Sequence, residues 1–161
     1  MTVAVYPGTF DPITNGHLDI AKRAAGLFEK LIIGVYDLPD KRILFNTGER
    51  IDLLRRSVDD LPNVEVTAFS GMTVDFAIRV GAKTLVRGLR MSRDFEREFE
   101  MALMNNNLRP ELELVCLMTR GEYQFLSSSL LKEVAELGGD IDSLVPEHVA
   151  EALKKKLAAR D

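Results

Sequence analysis

Cysteine is nearly absent from the sequence, since Cys116 is the single one among 161 residues. A lone cysteine excludes an intramolecular disulfide. Hydrophobic runs are also short, and none approaches the roughly 20 apolar residues that a membrane-spanning helix needs. The first residues lack the basic stretch of a signal peptide, and Asp11 interrupts them early. We therefore expect no membrane segment, no signal peptide and, by default, a cytoplasmic location.

Excess charge and irregular composition are lacking as well. The formal net charge of −4 argues against general binding to nucleic acid. The sequence shows no internal repeat, low-complexity segment or linker rich in proline and serine. With 46% apolar and 29% charged residues, it resembles soluble globular proteins in composition. Its length suits one domain with its own core, so we expect a single domain over residues 1–161.

Short apolar strands alternate with amphipathic helices along the chain. The pattern predicts strands at 2–6, 31–36, 64–69, 84–88 and 111–118, and helices at 16–28, 47–60, 73–80, 91–108, about 128–137 and 146–159. Such alternation is typical of βαβ units. It predicts an α/β fold: a Rossmann-like, doubly wound, five-stranded parallel sheet with helices on both faces, plus C-terminal helices. Ligands in such sheets bind beyond the carboxyl ends of the strands, where the strand order reverses.

The segment YPGTFDPITNGH follows the first strand and leads into the first helix. It lacks the G-x-G-x-x-G pattern, which argues against a dinucleotide site. Gly8 lets the backbone approach a ligand closely, and the free N–H groups of the helix start favour a phosphate. His17 lies on the apolar face of the helix, at its mouth. It is either a capping or core histidine, or a donor to a phosphate oxygen.

Two basic loops follow other strands. Arg87 and Arg90 bracket Gly88 after the fourth strand, so two guanidinium groups can converge on one anion, although a solvated basic loop has the same composition. Lys41 lies in a polar loop after the second strand. It is either a phosphate-binding lysine or a surface lysine, with Arg42 as the nearby competitor for the same role.

The helix predicted at 91–108 carries an apolar stripe, expected to face the core, of Met91, Phe95, Phe99, Ala102 and Leu103. Glu98 lies at the margin of this stripe. A carboxylate at the edge of a core is either paired with an arginine or used to bind a ligand.

Three serines, Ser127 to Ser129, lie at the start of the helix predicted at about 128–137 and just before LLKEVAEL. One of them suffices for a helix cap, which leaves hydroxyl groups for a phosphate. Lys132 stands where a full capping box from Ser129 would need glutamate. Tyr123 and Phe125 either pack near a base or are simply buried.

These segments together resemble a known family. The motif TNGH after YPGTFDP is followed in order by PDKR, RGLR, DFEREFEMA, NNNL and EYQFLSSSLLKE. The set resembles the nucleotidyltransferase superfamily, whose H-x-G-H motif here has Thr14 in place of the first histidine. That replacement is similar to one branch, the bacterial phosphopantetheine adenylyltransferases.

The resemblance implies a reaction. It is the transfer of AMP from ATP to 4'-phosphopantetheine, giving dephospho-coenzyme A and pyrophosphate by in-line attack without a covalent intermediate. It also implies Mg²⁺ accompanying ATP without a protein metal site, a homohexamer, and feedback inhibition by coenzyme A.

The resemblance further implies residue roles. His17, Lys41 and Arg90 would be catalytic, with His17 as the transition-state stabiliser. The phosphopantetheine site would comprise Thr9, Lys41, Thr73 and Arg87. The ATP site would comprise Thr9, Phe10, His17, Gly88, Leu89, Arg90, Glu98, Tyr123, Gln124, Phe125, Leu126, Ser127, Ser128 and Ser129. Two positions depart from the family pattern: Arg97 replaces an aromatic residue of some members, and Leu126 replaces isoleucine.

Other functions also fit a parallel sheet with phosphate-binding residues at its loops. A cytidylyltransferase or a nicotinamide-mononucleotide adenylyltransferase would share the fold, but the first usually carries H-x-G-H. A non-catalytic ATP sensor would bind ATP and release no pyrophosphate. An aminoacyl-tRNA synthetase would need further domains, and the acidic balance does not favour tRNA.

Overall fold

The computed structural model describes residues 2–37 and 42–160. Its strands are β1 (Val3–Gly8), β2 (Lys30–Tyr36), β3 (Val64–Phe69), β4 (Thr84–Leu89) and β5 (Glu113–Met118). Its helices are α1 (Asn15–Leu27), α2 (Thr47–Ser57), α3 (Thr73–Arg79), α4 (Ser92–Leu108), α5 (Ser128–Glu136) and α6 (Glu147–Ala158), with a 3₁₀ turn at Gly121–Tyr123. The predicted strands and helices are confirmed, with boundaries that differ by at most 3 residues.

The five strands form one parallel sheet in the order β3-β2-β1-β4-β5. The order reverses at β1, because β2 and β3 extend to one side and β4 and β5 to the other. The pairing of β1 with β2 runs as far as Gly8, whereas its pairing with β4 involves Ala4 and Val5. Strands β1 and β4 therefore separate towards their carboxyl ends, and a cleft opens between them at the point where the strand order reverses.

Both faces of the sheet are covered, because successive strand residues point to opposite sides. Ala4 and Tyr6 of β1 belong to a core shared with α1, α2, α5 and α6. Val3 and Val5 belong to a second core, which includes Phe76 of α3. The predicted doubly wound α/β fold is confirmed.

The expectation that the α4 stripe faces the core is wrong. Helix α4 buries none of its residues, and Phe95, Phe99 and Leu103 are 57%, 56% and 59% exposed. Sequence periodicity identifies an apolar face but not what covers it. The stripe is not a membrane segment either, since no helix in residues 2–37 and 42–160 is long and apolar enough to cross a bilayer.

Candidate active site

The first turn of α1 is closed by a reciprocal pair of hydrogen bonds between Thr14 and His17. The Oγ1 atom of Thr14 accepts from the N–H of His17 (3.3 Å), and Nδ1 of His17 accepts from the N–H of Thr14 (3.1 Å). A backbone N–H can only donate, so Nδ1 carries no proton in this arrangement. A neutral imidazole then carries its proton on Nε2. His17 is thus a capping histidine, and the cap also fixes which ring nitrogen is the donor.

The ring of Phe10 packs against the imidazole of His17. Phe10 is buried, and its ring lies edge-on to both Tyr6 and His17, with centroid separations of 5.3 and 5.2 Å. Its backbone adopts a left-handed φ of 50°. A Cβ atom on Gly8 would lie 2.9 Å from the Phe10 ring. Gly8 is therefore required by this ring, which is a packing reason that the sequence did not reveal.

The side chain of Arg87, on β4, crosses the cleft to reach β1. Its Nε and Nη2 atoms each lie 2.8 Å from Oε1 of Glu98 on α4, and Nη1 donates to the carbonyl of Pro7 on β1 (3.0 Å). The Glu98 side chain is 12% exposed and that of Arg87 is 39% exposed, so the carboxylate is shielded from water while the guanidinium stays partly accessible. Of the two interpretations of Glu98, the structure shows the arginine-paired carboxylate. The pairing fixes the orientation of the Arg87 guanidinium.

Arg90 connects the turn after β4 to the segment before α5. Its backbone N–H and Nε donate to Oδ2 of Asp94 (3.0 and 3.3 Å). Its Nη1 donates to the carbonyl of Leu126 (2.8 Å). The guanidinium is therefore directed by contacts on both sides of the cleft rather than left on a solvated loop.

The contacts of Arg87 and Arg90 place both guanidinium groups at the carboxyl end of β4. Nη1 of Arg87 donates to the carbonyl of Pro7 on β1, and Nη1 of Arg90 donates to the carbonyl of Leu126. Tyr6 of β1 contacts Phe10, which in turn contacts His17, and burial raises the pKa of Tyr6 above its usual value. Two guanidinium groups and an imidazole around one cleft are suited to a ligand with several phosphate groups.

The serine segment forms the N-terminus of α5. Ser127 is the N-cap, since its Oγ accepts from the N–H of Leu130 (3.1 Å). Ser128 donates its hydroxyl to the carbonyl of Pro12 (2.7 Å), and Ser129 is exposed. One serine of the three, Ser127, is therefore the cap, as the sequence predicts.

The two aromatic residues of this region differ in their surroundings. Tyr123 is half-buried against the start of α1, where a Cβ atom on Gly16 would lie 3.4 Å from its own Cβ. Phe125 is 55% exposed. Burial therefore accounts for Tyr123 but not for Phe125.

The remaining predicted site residues are placed as follows. Leu89 and Leu126 are buried, Thr9 and Thr73 are half-buried, and Gln124 is exposed. A Cβ atom on Gly88 would lie 3.1 Å from Cγ1 of Ile20, so this glycine lets α1 pack closely on β4. Lys41 lies outside the described residues, and its neighbour Arg42 is exposed.

Comparisons with known proteins decide the family. Residues 5–134 match the model of the cytidylyltransferase-like family. The chain is 55% identical to a phosphopantetheine adenylyltransferase of Dehalococcoides mccartyi over 157 residues, which cover 98% of this chain and 99% of that one. It is 54% identical to the one of Herpetosiphon aurantiacus, over 96% of this chain and 94% of that one.

The chain belongs to the phosphopantetheine adenylyltransferase family. The predicted family and the predicted class of enzyme, an adenylyltransferase, are thereby confirmed.

Solved structures support the fold. A putative nicotinate-nucleotide adenylyltransferase from Vibrio parahaemolyticus aligns with a TM-score of 0.76 at 16% identity, covering 100% of this chain and 98% of that one. A bifunctional NMN adenylyltransferase/ADP ribose pyrophosphatase from Francisella tularensis, complexed with AMP and a manganese ion, aligns with a TM-score of 0.72 at 14% identity. That alignment covers 98% of this chain and 49% of the other. At these identities the likeness concerns the fold alone.

Sequence reasoning missed a buried arginine that organises the site of this family member. Arg50 is 0% exposed, and its Nη1 donates to the carbonyls of Thr9 and Tyr36, both at 2.8 Å. Its Nε donates to the carbonyl of Phe45 (3.2 Å). Burial lowers the pKa of Arg50, and the nearby carboxylates of Asp11 and Asp37 oppose that effect. One guanidinium thus holds the ends of β1 and β2 together, which no local sequence pattern signals.

Carboxylates near the cleft are engaged with cations of the protein. Glu98 pairs with Arg87, Asp94 with Arg90, and Asp11 with Lys132. Within residues 2–37 and 42–160, no group of three or more His, Cys, Asp or Glu side chains could hold a metal ion. The cleft as described offers hydrogen-bond donors and positive charge, which are the groups that bind phosphate.

Proposed function

We propose that this chain, as a single nucleotidyltransferase domain over residues 1–161, transfers AMP from ATP to 4'-phosphopantetheine. The products are dephospho-coenzyme A and pyrophosphate, so the reaction is a step of coenzyme A biosynthesis. The observation that carries the proposal is the position of His17 in the first turn of α1 and of Arg87 and Arg90 at the carboxyl end of β4, beside β1, where the strand order reverses. The 55% identity to a relative named phosphopantetheine adenylyltransferase also supports the proposal.

The attacking group needs no activation by the protein. A phosphate oxygen of the acceptor is already an adequate nucleophile, so catalysis consists of positioning and charge stabilisation. We assign the acceptor phosphate to Lys41 and Arg87, with Thr9 and Thr73 beside the rest of the acceptor. The fixed orientation of Arg87 supports this role, because its contacts to Glu98 and Pro7 hold the guanidinium at the cleft.

The α-phosphoryl group lies, in this proposal, at the start of α1. His17 donates from Nε2–H to an oxygen whose negative charge grows as the acceptor attacks, and the N–H groups of the first helical turn add their dipole. The hydrogen bond from Thr14 to Nδ1 supports this role because it places the ring proton on Nε2. Phe10 supports the imidazole from behind.

The leaving pyrophosphate takes up charge on the β and γ phosphates. We assign these to Arg90 and to the α5 terminus at Ser127, Ser128 and Ser129, where backbone N–H groups of the first turn and the exposed hydroxyl of Ser129 can donate to anions. The adenine and ribose take the remaining ATP-site residues, which are Gly88, Leu89, Glu98, Tyr123, Gln124, Phe125 and Leu126. The exposed ring of Phe125 supports a stacking role.

We propose that Mg²⁺ binds together with ATP. When bound, it neutralises phosphate charge and is held mainly by phosphate oxygens and water. The pairing of Asp94 and Glu98 with arginines fits that arrangement, because these carboxylates are already engaged.

The proposal extends to assembly, regulation and location. We propose a homohexamer, because the exposed apolar face of α4 needs a cover and a second copy of the chain can provide it. Coenzyme A, which contains the acceptor's own phosphopantetheine, is proposed as the feedback inhibitor at the same site. We place the enzyme in the cytoplasm, where its substrate ATP is available.

Pyrophosphate release tests the function directly. Purified enzyme is incubated with Mg²⁺, phosphopantetheine and either ATP or CTP, and in parallel with ATP and nicotinamide mononucleotide. We expect release with ATP and phosphopantetheine and background in the other mixtures. Preferred use of CTP or of nicotinamide mononucleotide would contradict the substrate assignment, and binding of ATP without any release would indicate a sensor.

A further inference from the structure

Asp11 is a buried carboxylate to which two separate segments of the chain donate. It is 4% exposed. Its Oδ2 and Oδ1 accept from the backbone N–H groups of Leu44 and Phe45, both at 2.8 Å, and Oδ2 also lies 2.7 Å from Nζ of Lys132. Its neighbours Phe10 and Ile13 are buried, and the buried guanidinium of Arg50 lies nearby. Burying a carboxylate is costly unless hydrogen-bond donors and cations are placed around it.

Lys132 reaches Asp11 from α5, the helix whose first turn carries the serines. Ser128 and Lys132 are four residues apart and therefore lie on one face of α5. Ser128 donates to the carbonyl of Pro12, and Lys132 donates to the carboxylate of Asp11. Two contacts one turn apart thus dock α5 on two successive residues of the loop after β1.

The two sides of Asp11 lead to different parts of the cleft. Through Lys132 it is connected to α5 and the serine segment. Through Leu44 and Phe45 it is connected to the segment that enters α2, which Arg50 holds from the other side at the Phe45 carbonyl. Displacement of a positioned group by about 1 Å can cost on the order of a hundredfold in rate.

We propose that Asp11 and Lys132 are positioning residues of the transfer site, with Lys132 setting the placement of α5 towards the nucleotide phosphates. Neither residue touches the reacting atoms in this account. The inference rests on the proposed function for its kinetic readout, but it also predicts the affinity for ATP without any turnover.

The chain offers a matched control for this ion pair. Lys154 and Asp142 form a contact of similar length, 2.6 Å, but their side chains are 58% and 64% exposed. An exposed pair contributes little to stability. Lys132→Met and Lys154→Met therefore remove the same charge, from a shielded pair and from a solvated one.

The experiment compares wild type, Lys132→Met, Lys132→Arg, Lys154→Met and Asp11→Asn. For each, kcat and both KM values are obtained from pyrophosphate release, ATP affinity from calorimetry, and folding from the urea midpoint. For Lys132→Met we expect kcat/KM for ATP and ATP affinity to fall by roughly tenfold or more, with KM for phosphopantetheine within about twofold of wild type. Lys132→Arg should recover most of the ATP affinity, Asp11→Asn should affect both substrates, and Lys154→Met should match wild type.

Two results would overturn the positioning role. One is Lys132→Met with the same ATP affinity as Lys154→Met. The other is an equal loss for both substrates that follows the loss of stability alone. If Lys132→Met does not fold, Lys132→Gln takes its place and must show a weakened affinity that is selective for ATP, and wild-type ATP affinity in Lys132→Gln overturns the proposal. A wild-type enzyme without pyrophosphate release would refute the function instead, while the calorimetric comparison would still test the role of Lys132.

Discussion

The imidazole of His17 has a capping role in the structure and a proposed catalytic role, and substitution can separate the two. His17→Ala removes both the acceptor that closes the first turn of α1 and the proposed donor to the α-phosphoryl group. We expect kcat to fall by roughly two to three powers of ten, the cost of losing one preorganised donor. The lost cap should lower stability by about 1 kcal/mol. Steady-state pyrophosphate release and thermal unfolding measure the two effects.

His17→Gln is the control for the capping role. A glutamine at the third position of a helix completes a capping box, so this variant should unfold near the wild-type temperature while kcat remains low. Turnover of His17→Ala within a few-fold of wild type would exclude the imidazole from catalysis.

Arg87→Ala should raise KM for phosphopantetheine by roughly tenfold to a hundredfold, the range expected for losing a hydrogen bond between charged groups. The structure adds a second reason, because Glu98 is left as an unpaired carboxylate beside an anionic substrate. The double variant Arg87→Ala, Glu98→Gln should therefore recover part of the loss. An unchanged KM for phosphopantetheine in Arg87→Ala would contradict the assignment of this residue.

Single residues show where sequence reasoning reaches its limit. The motif around His17 and the arginines after β4 were predictable, because each lies where a strand meets a loop. The partner of Glu98 was predictable as a class, an arginine, but not as Arg87. The role of Arg50 was not predictable, since its hydrogen bonds go to carbonyls of residues 9, 36 and 45, which only the folded chain brings together.

At the scale of helices and strands, α2 and α6 are joined by a charged pair. Nζ of Lys156 lies 2.6 Å from Oε1 of Glu49. The carboxylate of Glu49 also completes the capping box of α2. Burial alone would raise the pKa of Glu49, but hydrogen bonds from Lys156 and from the N–H of Asn46 lower this pKa below its usual value. A lowered carboxyl pKa stabilises the fold above the unfolded-state value, and this stabilisation is lost as pH falls through the folded-state pKa.

Glu49→Gln tests this contact, because glutamine keeps the cap and removes the charge. Both side chains are about one-third exposed, so the expected loss at pH 7 is only about 0.5 kcal/mol. The difference from wild type should vanish as the carboxyl protonates, below about pH 4. Urea unfolding across pH 3–7 measures it, with the exposed Glu96→Gln as control. A difference that stays constant over this range would exclude the ion pair as its cause.

The elements themselves were predictable and one of their faces was not. Alternating strands and helices predicted every strand and α-helix, since hydrophobic periodicity and caps are local signals. The apolar stripe of α4 has the same periodicity as a core-facing helix, yet Met91, Phe95 and Phe99 are more than half exposed. A single sequence does not distinguish a face covered by its own chain from one left for another chain.

At the scale of the whole molecule, the exposed apolar face of α4 predicts that copies of the chain associate. Phe95 and Phe99 stack with their ring centroids 6.1 Å apart on the exposed side of α4. If the proposed homohexamer forms through α4, glutamate at both positions should reduce the mass measured by light scattering from that of six copies to that of a smaller species, because charge opposes burial of the patch.

Leu137→Glu is the matched control, since Leu137 is an exposed apolar residue at the far end of α5, 82% exposed. It should leave the mass unchanged. A Phe95→Glu, Phe99→Glu protein with the wild-type mass would show that α4 is not an interface between copies.

The contact between Asp11 and Lys132 spans 121 residues of sequence, and all five strands are made before α5. All five strands are therefore synthesised before the cation that pairs with Asp11, and only α6 follows α5 along the chain. A chain that ends before Lys132 would contain the whole sheet but leave Asp11 without this cation. We expect such a truncated chain to bind ATP more weakly than the full chain.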